Sequence, residues 1–364
     1  MKIKDVTTIL ERLAPLSYQE SYDNSGLIIG DRNDDLKSIL ITLDCTEEVL
    51  DEAIKNKCNL IVAHHPILFK SIKKLNGDNY VQRVIIKAIK NNISIYAIHT
   101  NLDNVMDGVN STIANRLELI NCKILQPKYD ILKQLIVYCP ESYSKKLKES
   151  LFSLGAGAIG DYEQCSFSSK GIGTFFPKKD SKPFIGDIGK VHEGSEDCIE
   201  MIFPKNIEGA IIECINKNHP YEEVAYQIFN LDIKYKNVGS GLIGELKESI
   251  EEKDFLSCLK DKMNTSIIRH TNLRNKKIKK VAVCGGAGSF LLSTAISKNA
   301  DIFISSDFKY HEFFDADNKL VIADIGHFES EQYTKDLIYD FLRKKITKFA
   351  VRLSQVNTNP INYI

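Results

Sequence analysis

The stretch NLIVAHHPILF, residues 59–69, decides how this chain is read. Its opening, NLIVA (59–63), is a short and nearly continuous apolar run, which suits a strand buried on both faces of a parallel sheet. The run ends in His64 and His65, and Pro66 prevents a regular continuation. Ligands of open α/β sheets bind beyond the carboxyl ends of the strands, where these imidazoles are expected to project. Neutral imidazole is the commonest metal-binding side chain, and adjacent residues diverge enough for each to serve a different ion. Taken alone, the pair reads equally well as two polar loop histidines.

Working outward, the same plan repeats. SILITLD (38–44) reads as a strand and TEEVLDEAIKNK (46–57) as a helix before it; VQRVIIKAIKNN (81–92) reads as a helix and SIYAI (94–98) as a strand after it. The C-terminal part follows suit. KKVAVC (279–284), ADIFISS (300–306) and KLVIADI (319–325) read as strands, with a helix over GSFLLSTAISKN (288–299). LDCTEEVLDEAIKNKCNLIVAHHP and VCGGAGSFLLSTAISKNADIFISSD align by eye, so the fold expected is a duplicated α/β core with mostly parallel sheets. A segment of different character interrupts it, giving boundaries at 1–126, 127–238 and 239–364. Inside the interruption, ILKQLIVYC, EQCSFSS, GIGTFFP, CIEMIFP and EEVAYQIFNL read as strands. Helices follow Pro140 and cover IEGAIIECINKN, and the loop 178–195 is polar and exposed. Two β-helix-β passes with an antiparallel filling predict a ferredoxin-like insert.

Two further strand ends carry polar clusters. SIYAI runs into His99-Thr100-Asn101-Leu102-Asp103, where Asp103 offers a hard oxygen ligand or bridge; His99 reads as a ligand, as a donor orienting one, or as a loop residue. KLVIADI runs into Gly326-His327-Phe328-Glu329-Ser330-Glu331. A helix starting near His327 places His327 and Glu331 on one face, four apart, and points Glu329 elsewhere, as solvated surface or as an acid complementing the dipole of the first turn. Three histidines, one aspartate and one glutamate from three strand ends make a two-metal site of His64, His65, Asp103, His327 and Glu331. Mixed imidazole and carboxylate donors suit zinc, iron or manganese. Asp44 reads as a pocket residue or as the cap of the helix at TEEVL. Gly285, Gly286 and Gly288 in CGGAGS form an anion-cradling loop or merely a tight turn; the lysine of a P-loop is missing. His192, His219 and His270 have no partner motif and read as structural.

Composition excludes several classes. Lys plus Arg equals Asp plus Glu at 48 each, which argues against nucleic acid held by bulk electrostatics. No apolar run approaches the roughly 20 residues needed to span a membrane, and the amphipathic MKIKDVTTILERLAP does not read as a secretory signal. Nine scattered cysteines with no CxxC pair support neither a disulfide framework nor a zinc finger, and a reducing, cytoplasmic setting is expected.

HHP, HTNLD and GHFESE in this order, with YDNSGLIIG near the start and SSDFKYHE before the last of these strands, resemble the Nif-three-like dinuclear-metal family, whose bacterial members are labelled GTP cyclohydrolase 1 type 2 homologues. The resemblance spans the chain. It implies that His64, His65, Asp103, His327 and Glu331 are the metal ligands, with Asp307 and His311 as pocket residues. It also implies a PII- or CutA-like insert carrying NHPYEEVAYQIF, and a homohexamer. Tyr22 stands where the family usually has Trp, and Ser305-Ser306 where Thr-Gly is common. The family label would make GTP, or another nucleotide or phosphorylated compound, the substrate of a metal-bridging water. The alternative is a non-enzymatic metal-binding regulatory or scaffold oligomer.

Overall fold

The structure, a computed structural model, describes residues 1–364. Contacts divide the chain into two compact units: Met1–Pro127 with Asn237–Ile364, and Lys128–Lys236.

The first unit holds two sheets. One has the strand order Gly26–Ile29, Ser94–Ala97, Leu60–Ala63, Ser38–Thr42, Ala350–Leu353, and every neighbouring pair is parallel except the first. The other runs Arg269–His270, Val321–Asp324, Ile302–Ser306, Lys277–Ala287, Tyr235–Glu251, Ile120–Lys128. Its three central strands are parallel, and antiparallel strands flank them. The first sheet thus has four consecutive parallel strands and the second three, each with an antiparallel strand at the corresponding edge, so the chain is α/β. Leu60, Ile61, Val62 and Ala63 are completely buried. Burying a Leu, Ile or Val side chain contributes about 1.5–3 kcal/mol, so the strand delivering His64 is a rigid base.

Local signals account for the helices that cross between these strands. Thr46 caps Glu47–Lys55 by accepting from the Val49 N–H at 3.4 Å, and Asn79 caps Tyr80–Lys90 by accepting from the Gln82 N–H at 3.0 Å. Capping by Thr46 leaves the Asp44 carboxylate available for other work.

Several elements depart from expectation. CGGAGS does not open a long helix: the strand Lys277–Ala287 continues through both glycines, and only a 3₁₀ turn at Ser289–Leu291 and the six residues Leu292–Ser297 follow. The last strand, Ala350–Leu353, pairs with Ser38–Thr42, so the two halves are interlocked rather than separate bodies.

In the second unit the order is strand, helix, two strands, helix, strand. An antiparallel sheet runs Phe167–Phe175, His192–Pro204, Leu132–Pro140, Tyr226–Asn230. The runs EQCSFSS and GIGTFFP contribute to one strand, Phe167–Phe175, rather than two, because Gly171 sits inside it without a turn. Leu135, Val137, Leu147, Leu151, Ile199 and Ile211 form the core of this unit.

Candidate metal centre

His64 and His65 leave the strand Leu60–Ala63 with their backbone N–H groups still donating to Thr42 and Leu43. The strand pairing therefore fixes both residues. His64 is fully buried, and its Nδ1–H donates to the Ile98 carbonyl at 2.8 Å, which leaves the Nε2 lone pair facing inward. That Nε2 has no hydrogen-bond partner. It lies 3.7 Å from Asp103 Oδ1, which is also buried and unpartnered, and 3.8 Å from Glu331 Oε1. An unsatisfied buried polar atom costs about 1–3 kcal/mol. Here two such atoms converge beside a buried carboxylate. Neighbouring ligands on a tetrahedral ion with bonds near 2.0–2.1 Å lie roughly 3.4 Å apart, so the gap suits one cation.

The second oxygen of Glu331 serves a different cluster. Oε2 is 2.9 Å from His65 Nε2 and 3.1 Å from His327 Nε2, and these two nitrogens are 3.4 Å apart. Both rings are aimed from behind by carboxylates: His65 Nδ1 bonds Asp44 Oδ1 at 2.7 Å, and His327 Nδ1 bonds Asp307 Oδ2 at 2.6 Å. Such partners fix which nitrogen faces a metal and raise its basicity. His99 is held in the same way by Asp23 at 2.7 Å, and one ring nitrogen each of His64, His65 and His99 lies within 4.8 Å of the others.

The electrostatics follow from this crowding. Burial disfavours the His65 and His327 cations. The carboxylates of Glu331, Asp44 and Asp307 outweigh it, taking His65 up to about 10 and His327 up to about 11. Burial works against the Glu331 carboxylate too, yet the His327 and His65 charges hold it well below the usual range. Asp103, lacking a comparable partner, is pushed up to about 7 by burial and by Glu331. Burial opposes the Asp23 carboxylate as well, but the hydrogen bond and charge of His99, with Thr100, keep it strongly lowered.

Of the residues singled out from the sequence, the structure brings together His64, His65, Asp103, His327 and Glu331, with His99 beside them and Asp44 and Asp307 behind them. His311 is placed elsewhere, edge-on to the exposed ring of Tyr310 and near that of Phe314. Glu329 stands in the first turn of the helix His327–Glu331, but it is buried rather than solvated, its carboxylate turned back against Gly326 and Asn359. The glycine run is not an open anion cradle: the Gly285 N–H donates to Asn110 Oδ1 and the Gly286 N–H to Ser330 Oγ, both at 2.9 Å. These glycines make room instead. A Cβ on Gly286, whose φ is +65°, would lie 2.4 Å from Glu331 Oε1. Sequence reasoning assigned no role to Asp23, although it stands in YDNSG, and none to Asn110, whose side chain holds the Asp103 carbonyl at 3.0 Å.

The site opens into a cleft of about 1400 Å³, lined in part by Tyr22, Phe69, Lys70, Lys73, Tyr80 and Phe290. No helix is long and apolar enough to cross a membrane.

Known proteins are similar to this chain along its whole length. The family described as Duf34/NIF3 (NGG1p interacting factor 3) matches residues 1–360. A Bacillus subtilis (strain 168) protein named "GTP cyclohydrolase 1 type 2 homolog" is 38% identical over 371 residues, covering 99% of this chain and 98% of its own. The crystal structure of a Bacillus cereus protein related to NIF3 is similar with a TM-score of 0.88 at 34% identity, covering 100% of this chain and 99% of its own. That of Staphylococcus aureus protein SA1388 is similar with a TM-score of 0.75 at 29% identity, with the same coverage. Matched along its length in sequence and in fold, the chain belongs to the Duf34/NIF3 family.

Proposed function

We propose that this protein is a metal-dependent hydrolase with two divalent ions per chain. His64, Asp103 and Glu331 Oε1 hold one ion; His65, His327 and Glu331 Oε2 hold the other. The observation that carries this reading is the divided carboxylate of Glu331, whose two oxygens face two separate donor sets. Bound there, divalent ions supply Lewis acidity toward a carbonyl or phosphoryl oxygen and acidify water near neutral pH. The chain's own residues do the rest. Ile98, Asp44 and Asp307 hold the Nδ1 protons so that Nε2 lone pairs converge, and the buried Glu331 and Asp103 supply negative charge in a water-poor setting.

The substrate class we favour is a nucleotide or another phosphorylated compound. The cleft's aromatic side chains suit a planar base, and Lys70, Lys73 and Lys74 at its wall suit phosphate. A purine nucleoside triphosphate is the first compound to test, given the name of the Bacillus subtilis relative. The mixed donor set suits zinc, iron or manganese. We also include in this reading a homohexamer, with Lys128–Lys236 as a PII- or CutA-like accessory module.

Elemental analysis of gently purified chain should give close to two ions per chain. Glu331→Gln, which keeps the shape and removes the shared charge, should lose most of both while the far-ultraviolet circular dichroism is kept. Turnover should vanish with chelator and return with metal. A chelated chain that turns substrate over as fast as the reconstituted one would defeat the hydrolase reading. Ligand binding that shifts the assembly state, with no turnover across nucleotides and phosphate esters, would favour a regulatory protein.

A further inference from the structure

The stretch Ser354–Asn359 follows the strand Ala350–Leu353 and has no regular secondary structure, yet side chains tie it down at three places. Glu52 accepts from Ser354 Oγ at 2.5 Å and from the Gln355 N–H at 3.0 Å. Thr358 Oγ1 donates to Asp44 Oδ2 at 2.7 Å, and Asn359 Nδ2 donates to Glu329 Oε1 at 3.2 Å. The last two contacts share a property. Each reaches a carboxylate tied to an imidazole of the centre, one by a hydrogen bond to its ring and the other by lying in the helix that carries it. Asp44 holds His65 through its other oxygen, and Glu329 lies in the helix His327–Glu331.

Geometry makes these contacts matter. The Asp44 side chain is 35% exposed, so water competes for it and its carboxylate plane is not set by packing alone. With Oδ1 on His65 and Oδ2 on Thr358, both ends are fixed, and the ring of His65 is fixed with them. On the opposite side, Glu329 is nearly buried, its other oxygen packed where a Cβ on Gly326 would sit. Asn359 therefore bonds a carboxylate that cannot easily move. Two consecutive residues of one irregular segment thereby touch the supports of the two rings whose Nε2 atoms lie 3.4 Å apart.

We propose that this segment is a clamp on the metal centre, in which Thr358 and Asn359 are positioning residues that set the spacing of His65 and His327. The hydrogen-bond relay stands on the contacts above; its consequence for ion binding rests on the metal-centre reading. Loss of the Thr358 hydroxyl frees one end of Asp44 and loosens His65, so the ion position shared by His65 and His327 weakens. The position at His64 and Asp103 does not. Asn359→Ala acts in the same direction through the helix His327–Glu331.

The near-isosteric Thr358→Val tests this in the full-length chain, with Thr358→Ser as the conservative rescue. Partners that orient metal-binding histidines typically alter affinity by about 10–100-fold, so titration against a competing chelator should show one of two ions bound roughly tenfold more weakly in Thr358→Val. Thr358→Ser should restore it. A second readout needs no metal: the Nδ1 proton that His65 donates to Asp44 should give one sharp resonance in the wild type and in Thr358→Ser. In Thr358→Val it should shift and broaden. Unchanged affinities and an unchanged His65 resonance in Thr358→Val would overturn the clamp. A wild type that takes up no ion would overturn the metal reading instead, and the His65 resonance would still decide the relay.

Discussion

At the scale of single residues, Glu331 is the pivot, because it compensates two imidazoles that stand above their ordinary value of 6.5 in the ion-free chain. The sign of the linkage follows. A raised imidazole contributes stability fully below about pH 6.5 and loses it as the pH climbs through 10 for His65 and 11 for His327. Glu331 is lowered, so its contribution is present above about 4.5 and lost as the pH falls. The ion-free chain should therefore show thermal midpoints that are highest between about pH 4.5 and 6.5 and decline on both flanks. Metal ions require neutral imidazoles, so loading at pH 7–8 should expel close to two protons per chain. Calorimetry in two buffers of different ionisation enthalpy measures this directly; release of under half a proton would mean that the rings are already neutral. The candidate ligands were legible because histidines and acids at the ends of apolar runs are conspicuous. Asp23, Asn110 and Thr358 were not, since a single polar residue in a loop carries no period and its partner lies far off in sequence.

At the scale of elements, the glycine-rich end of the strand Lys277–Ala287 has the clearest consequence. Gly286→Ala puts a methyl group into the space of Glu331 Oε1 at a positive φ. We expect a loss of about 1–2 kcal/mol from the backbone conformation and, more telling, metal content lowered well below that of the wild type. Denaturant unfolding and elemental analysis check the two parts; full metal content in Gly286→Ala would show that the carboxylate has room to spare. In sequence, glycines that offer N–H groups to an anion and glycines that give clearance look the same, which is why CGGAGS stayed ambiguous. Fully buried parallel strands such as Leu60–Ala63 were readable as apolar runs. Tyr235–Glu251 and Ile120–Lys128 were not, because their mixed burial breaks up any run.

At the scale of the whole molecule, the second unit interrupts a chain whose two crossing points touch. A Cβ on Gly239 would sit 2.7 Å from Pro127 Cα. Replacing Lys128–Lys236 by a short Gly/Ser linker should leave a folded chain with the wild-type metal content, measured by circular dichroism and elemental analysis. Aggregation with every linker length would place the boundary elsewhere. Assembly is a separate matter. The strand Phe167–Phe175 is a nine-residue sheet edge with Ile172 at 77% exposure, and such edges are templates for pairing. Light scattering should give a hexamer, and Ile172→Lys should lower the mass without lowering metal content; a wild-type mass of 41.1 kDa at all concentrations would count against the assembly. The duplicated plan and the interruption were visible in the sequence as repeated strand-helix signals. The return of Ala350–Leu353 to the first sheet was not, because a pairing across three hundred residues has no local signature.

That return has a bearing on how the chain is born. Ser38–Thr42 leaves the ribosome early, and its partner Ala350–Leu353 emerges some three hundred residues later. At about 5–20 residues per second the delay is roughly 15–60 seconds. Through all of it an apolar strand waits with one edge open, while His64 and Asp103 wait for Glu331. Until then the edge of Ser38–Thr42 is a free template for pairing, and a product truncated before Ala350 keeps that edge bare, so it should aggregate more readily than the full chain.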